Sequence, residues 1–303
     1  MTELVVRALT EHDTALFTSL SVPAVVGRAA FGHTYVPVHE GGEYRPDWTW
    51  VALRDGTVVA RAAWWGAPDD TAPKVLDWFD FAEGEEEAAA HLLRTAPFRT
   101  EFSLLTPPGW RDRPAIRATA EARIAAATAG GLRPLVERYR YEWTPACGLP
   151  GRPGRLEFRP EPADVVVRDV VRRTMQGTLD EHDRRNIAEH GLEAALDDAM
   201  GFLDWLPSPR EWWKLARTPE GEVVGIHVPA RNPSGPCVGY IGVVPEHRGR
   251  GYAYDLLAEC THDLVAEGAE RITAATDQGN LPMAATFAKA GYPITQERID
   301  LVP

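Results

Sequence analysis

The chain carries nearly the same statement twice. RDGTVVARAAW at 54–64 and PEGEVVGIHVP at 219–229 each read as a strand, a tight turn and a strand. Setting Gly56 on Gly221 gives an offset of 165 residues, and that offset also sets Gly84 on Gly249, within AEGEEEAAAHLL (82–93) and HRGRGYAYDLL (247–257). Further on, TAGGLRP (128–134) is similar to AKAGYPI (288–294) at a slightly smaller offset. Self-similarity at a fixed spacing means one supersecondary plan built twice, and a unit of roughly 150 residues is an ordinary domain size. Between the copies lies ACGLPGRPG (146–154), rich in Gly and Pro and without periodicity, which is the expected linker. The division expected from sequence is therefore 1–148 and 149–303.

Each copy reads as mixed α/β. In the second, 155–160 is a short strand, and 163–176 and 180–204 carry the apolar spacing of amphipathic helices. Strands are expected at about 212–217, 222–229 and 237–244. A helix over 251–267 stops near Gly268, a strand follows at 271–276, a helix at 281–290 stops at Gly291, and a last strand closes the chain. The first copy repeats the order, with strands near 49–54, 57–65 and 75–81 and helices near 84–95 and 112–129. Hairpins followed by strand–helix–strand–helix–strand make an α+β domain with a mixed sheet, built twice.

Composition excludes several classes. Of 303 residues, 44% are hydrophobic and 25% charged, as in an ordinary globular protein. No apolar run approaches the ~20 residues of a membrane span. The start, MTELVVRALTEHD, lacks the basic-then-apolar pattern of a secretory signal. Three widely spaced cysteines, Cys147, Cys237 and Cys260, form neither a disulfide framework nor a metal-ligand spacing. A cytoplasmic location without a structural metal is the expectation. The net charge of −12 argues against an extended nucleic-acid surface and suits a cationic small substrate, although acidic chains without one are common.

The junction VVPEHRGRGYAYDLL (243–257) concentrates the chemistry. The first turn of a helix has unpaired N–H groups and a partial positive charge, so it can hold a diphosphate. Glycines let the backbone approach a phosphate closely, and arginines add charge. All three features follow an apolar strand here. The dinucleotide fingerprint G-x-G-x-x-G is incomplete, with only Gly249 and Gly251, and a plain turn with solvated arginines is the competing reading.

Arg248-x-x-Gly251-x-Ala253 resembles the [Q/R]-x-x-G-x-[G/A] pattern of the GNAT acyltransferase superfamily, and TDQGNLPMAATFAKAGY (276–292) resembles the N-x-x-A…GF segment of the same enzymes. Together these cover about 60 residues in the right order. The two-copy layout is similar to that of tandem members such as mycothiol synthase. The resemblance implies two tandem domains, each a mostly antiparallel sheet with a splayed parallel strand pair flanked by helices. It implies acetyl-CoA, or another acyl-CoA, as co-substrate. The pyrophosphate would lie on the backbone of Arg248, Gly249, Arg250, Gly251, Tyr252 and Ala253, and the pantetheine arm along Val243 and Val244. Asn280 and Phe287 would border the site. A primary amine of a small molecule would attack the thioester directly in a ternary complex.

Two departures stand out. Many members carry a tyrosine acid seven residues after the Asn, and here that position is Phe287. No base is marked by a motif. His227, by its intrinsic pKa, and Tyr240 on the strand leading to the loop are the candidates, each against a plain packing role. Asp180, Glu181 and Asp183 read first as a helix N-terminus and second as a set for holding an ammonium group. Glu246 is expected to face solvent. In the first copy, Glu83, Glu85, Glu86 and Glu87 stand where a diphosphate needs donors, so one site is expected, in the second copy. The first copy would be a scaffold or wall the acceptor pocket. Most of Trp48, Trp50, Trp64 and Trp65 are expected in its core. The alternatives are an acyl-CoA-binding regulatory module without turnover and acyl transfer involving aminoacyl-tRNA, the latter disfavoured by charge.

Overall fold

The computed structural model describes residues 3–22, 34–232 and 235–303. The chain divides into two compact units, 1–137 with 296–303, and 138–295. The first unit contains strands β1 (Leu4–Ala8), β2 (Thr49–Arg54), β3 (Thr57–Trp65), β4 (Val75–Phe81) and β5 (Glu101–Thr106), and helices α1 (Ala15–Ser19), α2 (Glu86–Thr95) and α3 (Pro114–Ala129). Strand β6 (Arg133–Trp143) crosses the division. The second unit continues with β7 (Glu157–Pro160), α4 (Asp164–Met175), α5 (Glu181–His190), α6 (Leu192–Trp205), β8 (Lys214–Arg217), β9 (Val223–Asn232), β10 (Gly235–Val243), α7 (Tyr252–Ala266), β11 (Ile272–Asp277) and α8 (Leu281–Lys289), and β12 (Ile294–Val302) crosses back into the first unit.

In the first unit the strand order is β1-β2-β3-β4-β5-β12. Neighbours are antiparallel except β4 and β5, which run parallel and pair only at Val75 with Glu101 and Leu76 with Phe102. In the second unit the order is β6-β11-β10-β9-β8-β7. Its one parallel pair, β10 and β11, meets at a single position, Cys237 with Thr273. Beyond that position the strands diverge, and a bulge between Val238 and Tyr240 turns β10 at the point of divergence. Both units are thus mixed α/β sheets with a splayed parallel pair.

The sheets end on exchanged strands. Residues 138–143 of β6, encoded in the first copy, pair antiparallel with the whole of β11 in the second unit. Residues 297–301 of β12, encoded in the second copy, pair with β5 in the first. The division expected at 148/149 is therefore replaced by one at 137/138 with a returning C-terminal strand. The segment 146–154 is not a free linker. Trp143 Nε1 donates to Gly148 O at 2.8 Å, His262 Nε2 bonds Pro150 O at 2.8 Å, and Cys147 packs on the second unit's own core. The long helix expected at 180–204 is two helices, broken where Gly191 takes φ +86°.

In the second unit, α4 and α6 bury Val167, Val171, Leu196 and Leu203 against Ile226, Val228 and Ala230 of β9. Side chains alternate across a strand, so His227 faces the other way, towards α7. There α7 and α8 pack Leu257, Cys260, Leu264 and Phe287 on Ile272 of β11 and on Tyr141 and Trp143 of β6. The first unit's core joins Trp48, Trp64, Phe79, Leu92, Phe102 and Trp110, with Trp50 partly buried against it. Trp65 sits at the edge of its other cluster and bonds Glu43. All three cysteines are free thiols. Among the described residues no helix is long and apolar enough to cross a membrane.

Candidate acyl-CoA site of the second unit

Strand β10 ends at Val243 and α7 begins at Tyr252, with a short 3-10 turn, Pro245–His247, between them. Gly249 and Gly251 take φ +75° and +77°, a left-handed conformation that strains any residue with a side chain. A Cβ on Gly249 would meet nothing within 4 Å, so glycine is there for conformation and approach, not for want of room in the fold. Arg248, Gly249, Arg250 and Gly251 are exposed, and the α7 first turn, with Tyr252 and Ala253, presents N–H groups that helical geometry leaves without carbonyl partners.

The loop's carbonyls are drawn away by two guanidinium groups. Arg155 donates to both oxygens of Asp255, which is buried in α7, and to Arg250 O (3.1 Å) and Gly251 O (3.3 Å), and it lies 4.9 Å from the Tyr252 ring. Arg248 donates to Val243 O (3.1 Å), Gln176 O (2.8 Å), Gly177 O (3.2 Å) and Thr174 O (2.8 Å). Carbonyl groups at the two ends of the loop are thereby satisfied. Arg248 was expected to add charge to a ligand; its side chain instead ties the loop to the end of α4. Arg250 keeps one contact, with His247 Nδ1 at 3.4 Å, and is exposed.

The pantetheine expectation is narrowed. Val244 N–H is bonded to Val224 O at 3.0 Å, towards β9, and the Val244 side chain is fully buried. By strand alternation the amides of Ile241 and Val243 face the gap with β11. Asn280 caps α8, its Oδ1 accepting from Met283 N at 3.2 Å. Phe287 is 1% exposed and stacks on Tyr141 at 4.2 Å, inside the core. The helix register turns it away from solvent, so it does not border the site.

Of the two candidate bases, His227 is fully buried, beside the Phe158 ring. Burial, with the Lys214 charge adding to it, pushes its pKa down to about 3. Its nearest carboxylate oxygen, Asp263 Oδ2, is 3.8 Å away. A neutral ring sealed beneath α7 cannot take a proton from a substrate, so His227 is a packing residue. Tyr240 lies on the opposite face, where its hydroxyl meets Thr174 Oγ1 at 2.8 Å, and Thr174 donates to Val171 O at 2.7 Å. Burial raises the Tyr240 pKa, which keeps its proton in place and removes it as a base.

The acidic helix start proves more informative than its sequence. Asp180 caps α5, accepting from His182 N (3.0 Å) and Asp183 N (3.2 Å). Glu181 N–H donates to Asp277 Oδ2 at 2.7 Å, at the end of β11. Asp183, two positions on, is close enough to Tyr240 of β10 for its charge to act on that hydroxyl. The N-terminus of α5 thus spans the two diverging strands. Arg138, on the exchanged strand β6, pairs with Asp180 Oδ2 and Asp277 Oδ1, each at 3.0 Å. Burial, with Asp180 adding to it, raises the Asp183 pKa to about 6. Sequence reasoning missed Arg138, Arg155 and Asp277, because each acts through partners far along the chain, from Arg138 with Asp180 at 42 positions to Arg155 with Asp255 at 100.

A splayed parallel pair, a bulge at the divergence and a donor-lined helix start make a cleft suited to a ligand that carries a diphosphate. Residues 178–292 match the model of the Acetyltransferase (GNAT) family. That match lies within the second unit. Solved structures agree in fold. A GCN5-related N-acetyltransferase from Sphaerobacter thermophilus superposes with a TM-score of 0.54 at 15% identity, covering 98% of this chain and 94% of that one. A glucosamine N-acetyltransferase region of a fungal multi-domain GH3 β-N-acetylglucosaminidase gives 0.54 at 12%, covering 99% of this chain and 38% of that one. A tandem GNAT protein from the clavulanic acid biosynthesis pathway gives 0.49 at 15%, covering 99% and 98%. No curated protein matches the chain in sequence. The fold is similar to that of GNAT acetyltransferases, and such a fold supports acyl transfer in general.

Proposed function

We propose that the protein is an acyl-CoA-dependent N-acyltransferase for the primary amine of a small molecule, with a single site in the second unit. The observation that carries this reading is the junction of β10 and α7. Two left-handed glycines there open a set of backbone donors at the end of a strand splayed from its parallel neighbour. The pyrophosphate of acyl-CoA would lie on the N–H groups from Gly249 to Ala253, beside Arg250. The pantetheine arm would run along the Ile241–Val243 edge, which places the thioester near the bulge. Carboxylates at the start of α5, across the splay, suit an acceptor that arrives as an ammonium ion.

The test is calorimetric titration with acetyl-CoA, followed by thiol release against a panel of amines and amino sugars with mass detection of the product. Binding in the micromolar range with release of thiol is the expected result. No binding at millimolar acetyl-CoA would overturn the reading. Binding without release for any amine would make the protein an acyl-CoA-binding module instead.

A further inference from the structure

The start of α5 raises a question of charge. Asp180 is near enough for its charge to act on both Asp183 and Asp277, and one cation does not compensate three carboxylates. Arg138 selects among them. Its guanidinium bridges Asp180 and Asp277, and both carry further donors: two backbone N–H groups on Asp180 and one on Asp277. Among the described residues, Asp183 receives only a long contact from Thr178 Oγ1, at 3.4 Å. It is the least compensated carboxylate of the cluster, on the helix turn that faces Tyr240 of β10.

We propose that Asp183 takes the proton from the ammonium group of the acceptor, and that Arg138 is the positioning residue that leaves it as the base by engaging Asp180 and Asp277. The proposal rests on the acyltransferase reading above. It also gives the exchanged strand a function, since Arg138 is encoded in the first copy and completes the site of the second unit.

The chemistry balances without any further reactant. The acceptor enters as R–NH3⁺ and gives one proton to the Asp183 carboxylate. The free amine attacks the thioester carbonyl, the C–N bond forms and the C–S bond breaks. A second proton passes from nitrogen to the departing sulfur, so CoA leaves as the thiol and the product is the amide. Asp183 then returns its proton to solvent.

The electrostatics agree with this assignment. A carboxylate poised near pH 6 is largely ionised at neutrality yet basic enough to accept a proton, which is what base catalysis at pH 7 needs. The charged and titratable groups around Asp183 are Asp180 and His182 on its own element, Arg138 from β6 and Tyr240 from β10. Asp180 raises the Asp183 pKa, whereas Arg138 and His182 lower it. Removing the Arg138 charge therefore moves the Asp183 pKa upward, and the freed Asp180 adds to that movement.

The experiment is kcat/KM against pH for the full chain and its variants, with acetyl-CoA affinity and thermal melting measured alongside. The wild type should show an acid limb near pH 6. Asp183→Asn should lose that limb and about 10²–10⁴-fold in kcat at pH 7. It should keep its acetyl-CoA affinity and recover towards the wild type at alkaline pH, where the amine is already free. Arg138→Gln should move the limb upward by about one pH unit, while Arg138→Lys, which keeps the charge, should leave it near the wild-type position. Thiol release by the wild type with no limb between pH 5 and 7 would overturn this proposal and leave the acyltransferase reading standing. So would an Asp183→Asn variant that keeps the limb, or an Arg138→Gln variant that loses rate with the limb unmoved. Absence of thiol release by the wild type would overturn both. Should Asp183→Asn fail to fold, Asp183→Glu answers the same question, since it must lose rate yet retain an acid limb.

Discussion

The junction of β4 with α2 and the junction of β10 with α7 are one backbone design with opposite electrostatics. Gly84 and Gly249 stand 165 positions apart and share the left-handed conformation, with φ +80° and +75°. After them the copies part. The second unit continues Arg250-Gly251-Tyr252 and reaches α7 through a second left-handed glycine. The first continues Glu85-Glu86-Glu87 and enters α2 directly, with Glu85 at the N-cap position. Glu85 is held by Arg54, whose Nε and Nη2 donate at 3.0 and 2.7 Å. In the second unit the held groups are carbonyls, with Arg155 on Arg250 O and Gly251 O and Arg248 on Val243 O and the end of α4. One junction neutralises its own helix start with carboxylates, and the other keeps its helix start open for an anion from outside. On the reading proposed above, a duplicated junction gives up its ligand to charge, while the strand before it and the helix after it are kept.

The comparison can first be broken by cutting the chain. Trp143 and Tyr141 of β6 are each 2% exposed and sit in the core beneath α7 and α8. A fragment 149–303, cut at the Gly/Pro-rich segment, lacks both, together with the ladder that covers β11. Two buried aromatic side chains at about 3–5 kcal/mol each amount to about as much as the whole stability of a domain. That fragment should be unfolded by circular dichroism. A fragment 138–295 should melt cooperatively and bind acetyl-CoA. The opposite result would mean that the exchanged strands are dispensable.

The next largest effect is expected at Gly251, whose counterpart in the first unit is Glu86. Gly251→Asp brings a side chain to φ +77° and a negative charge to the phosphate cradle. Backbone strain there costs about 1–2 kcal/mol. The charge should add enough that acetyl-CoA affinity falls at least about 100-fold by calorimetry, with the fold intact by circular dichroism. Affinity within about threefold of the wild type would displace the diphosphate from this loop.

His227 is the third contrast, because the equivalent residue of the first unit is Ala62, also fully buried. The His227 pKa is depressed to about 3, against an ordinary value of 6.5. Its contribution to stability is therefore complete above pH 6.5 and is lost as the pH falls through 6.5 towards 3. The upper bound is about 4–5 kcal/mol at about 1.4 kcal/mol per unit. His227→Leu should flatten the fall in urea stability between pH 6.5 and 4 and leave kcat at pH 7 within about threefold. A hundredfold loss of turnover with the fold retained would restore His227 as a catalytic group.

These contrasts show which features a sequence carries openly. The repeat, the strand–helix order and the donor-lined junction are local patterns of glycine, charge and apolar spacing, and each lies within a dozen or so residues. The strand exchange is invisible to such patterns, because β6 and β12 read as strands whichever sheet they join. The same limit hid Arg155, which reaches Asp255 across 100 positions, and Arg138, which reaches Asp277 from the other copy. His227 looked like a base because its residue type carries the right intrinsic pKa, and only the strand register reveals that it points beneath α7. Phe287 was placed at the site by a count along a helix, and the packing of α8 on Tyr141 puts it in the core instead.

The smallest expected effect is the sharpest check on the opening contrast. If carboxylates alone keep the first unit from binding, then Glu85→Ala with Glu86→Ala should open a second acyl-CoA site. We expect that it does not. The α2 start lacks the second left-handed glycine, and the change removes the partner of Arg54 without adding any donor. The two variants together should cost little stability, as the loss of a solvent-screened ion pair does. Calorimetric titration with acetyl-CoA should return about one site per chain in the wild type and in the double variant alike. About two sites in the double variant would mean that the backbone of the first unit is already a cradle, closed only by its charges. The left-handed pair at Gly249 and Gly251 would then be a convenience of approach, not the requirement that the β10–α7 junction makes it.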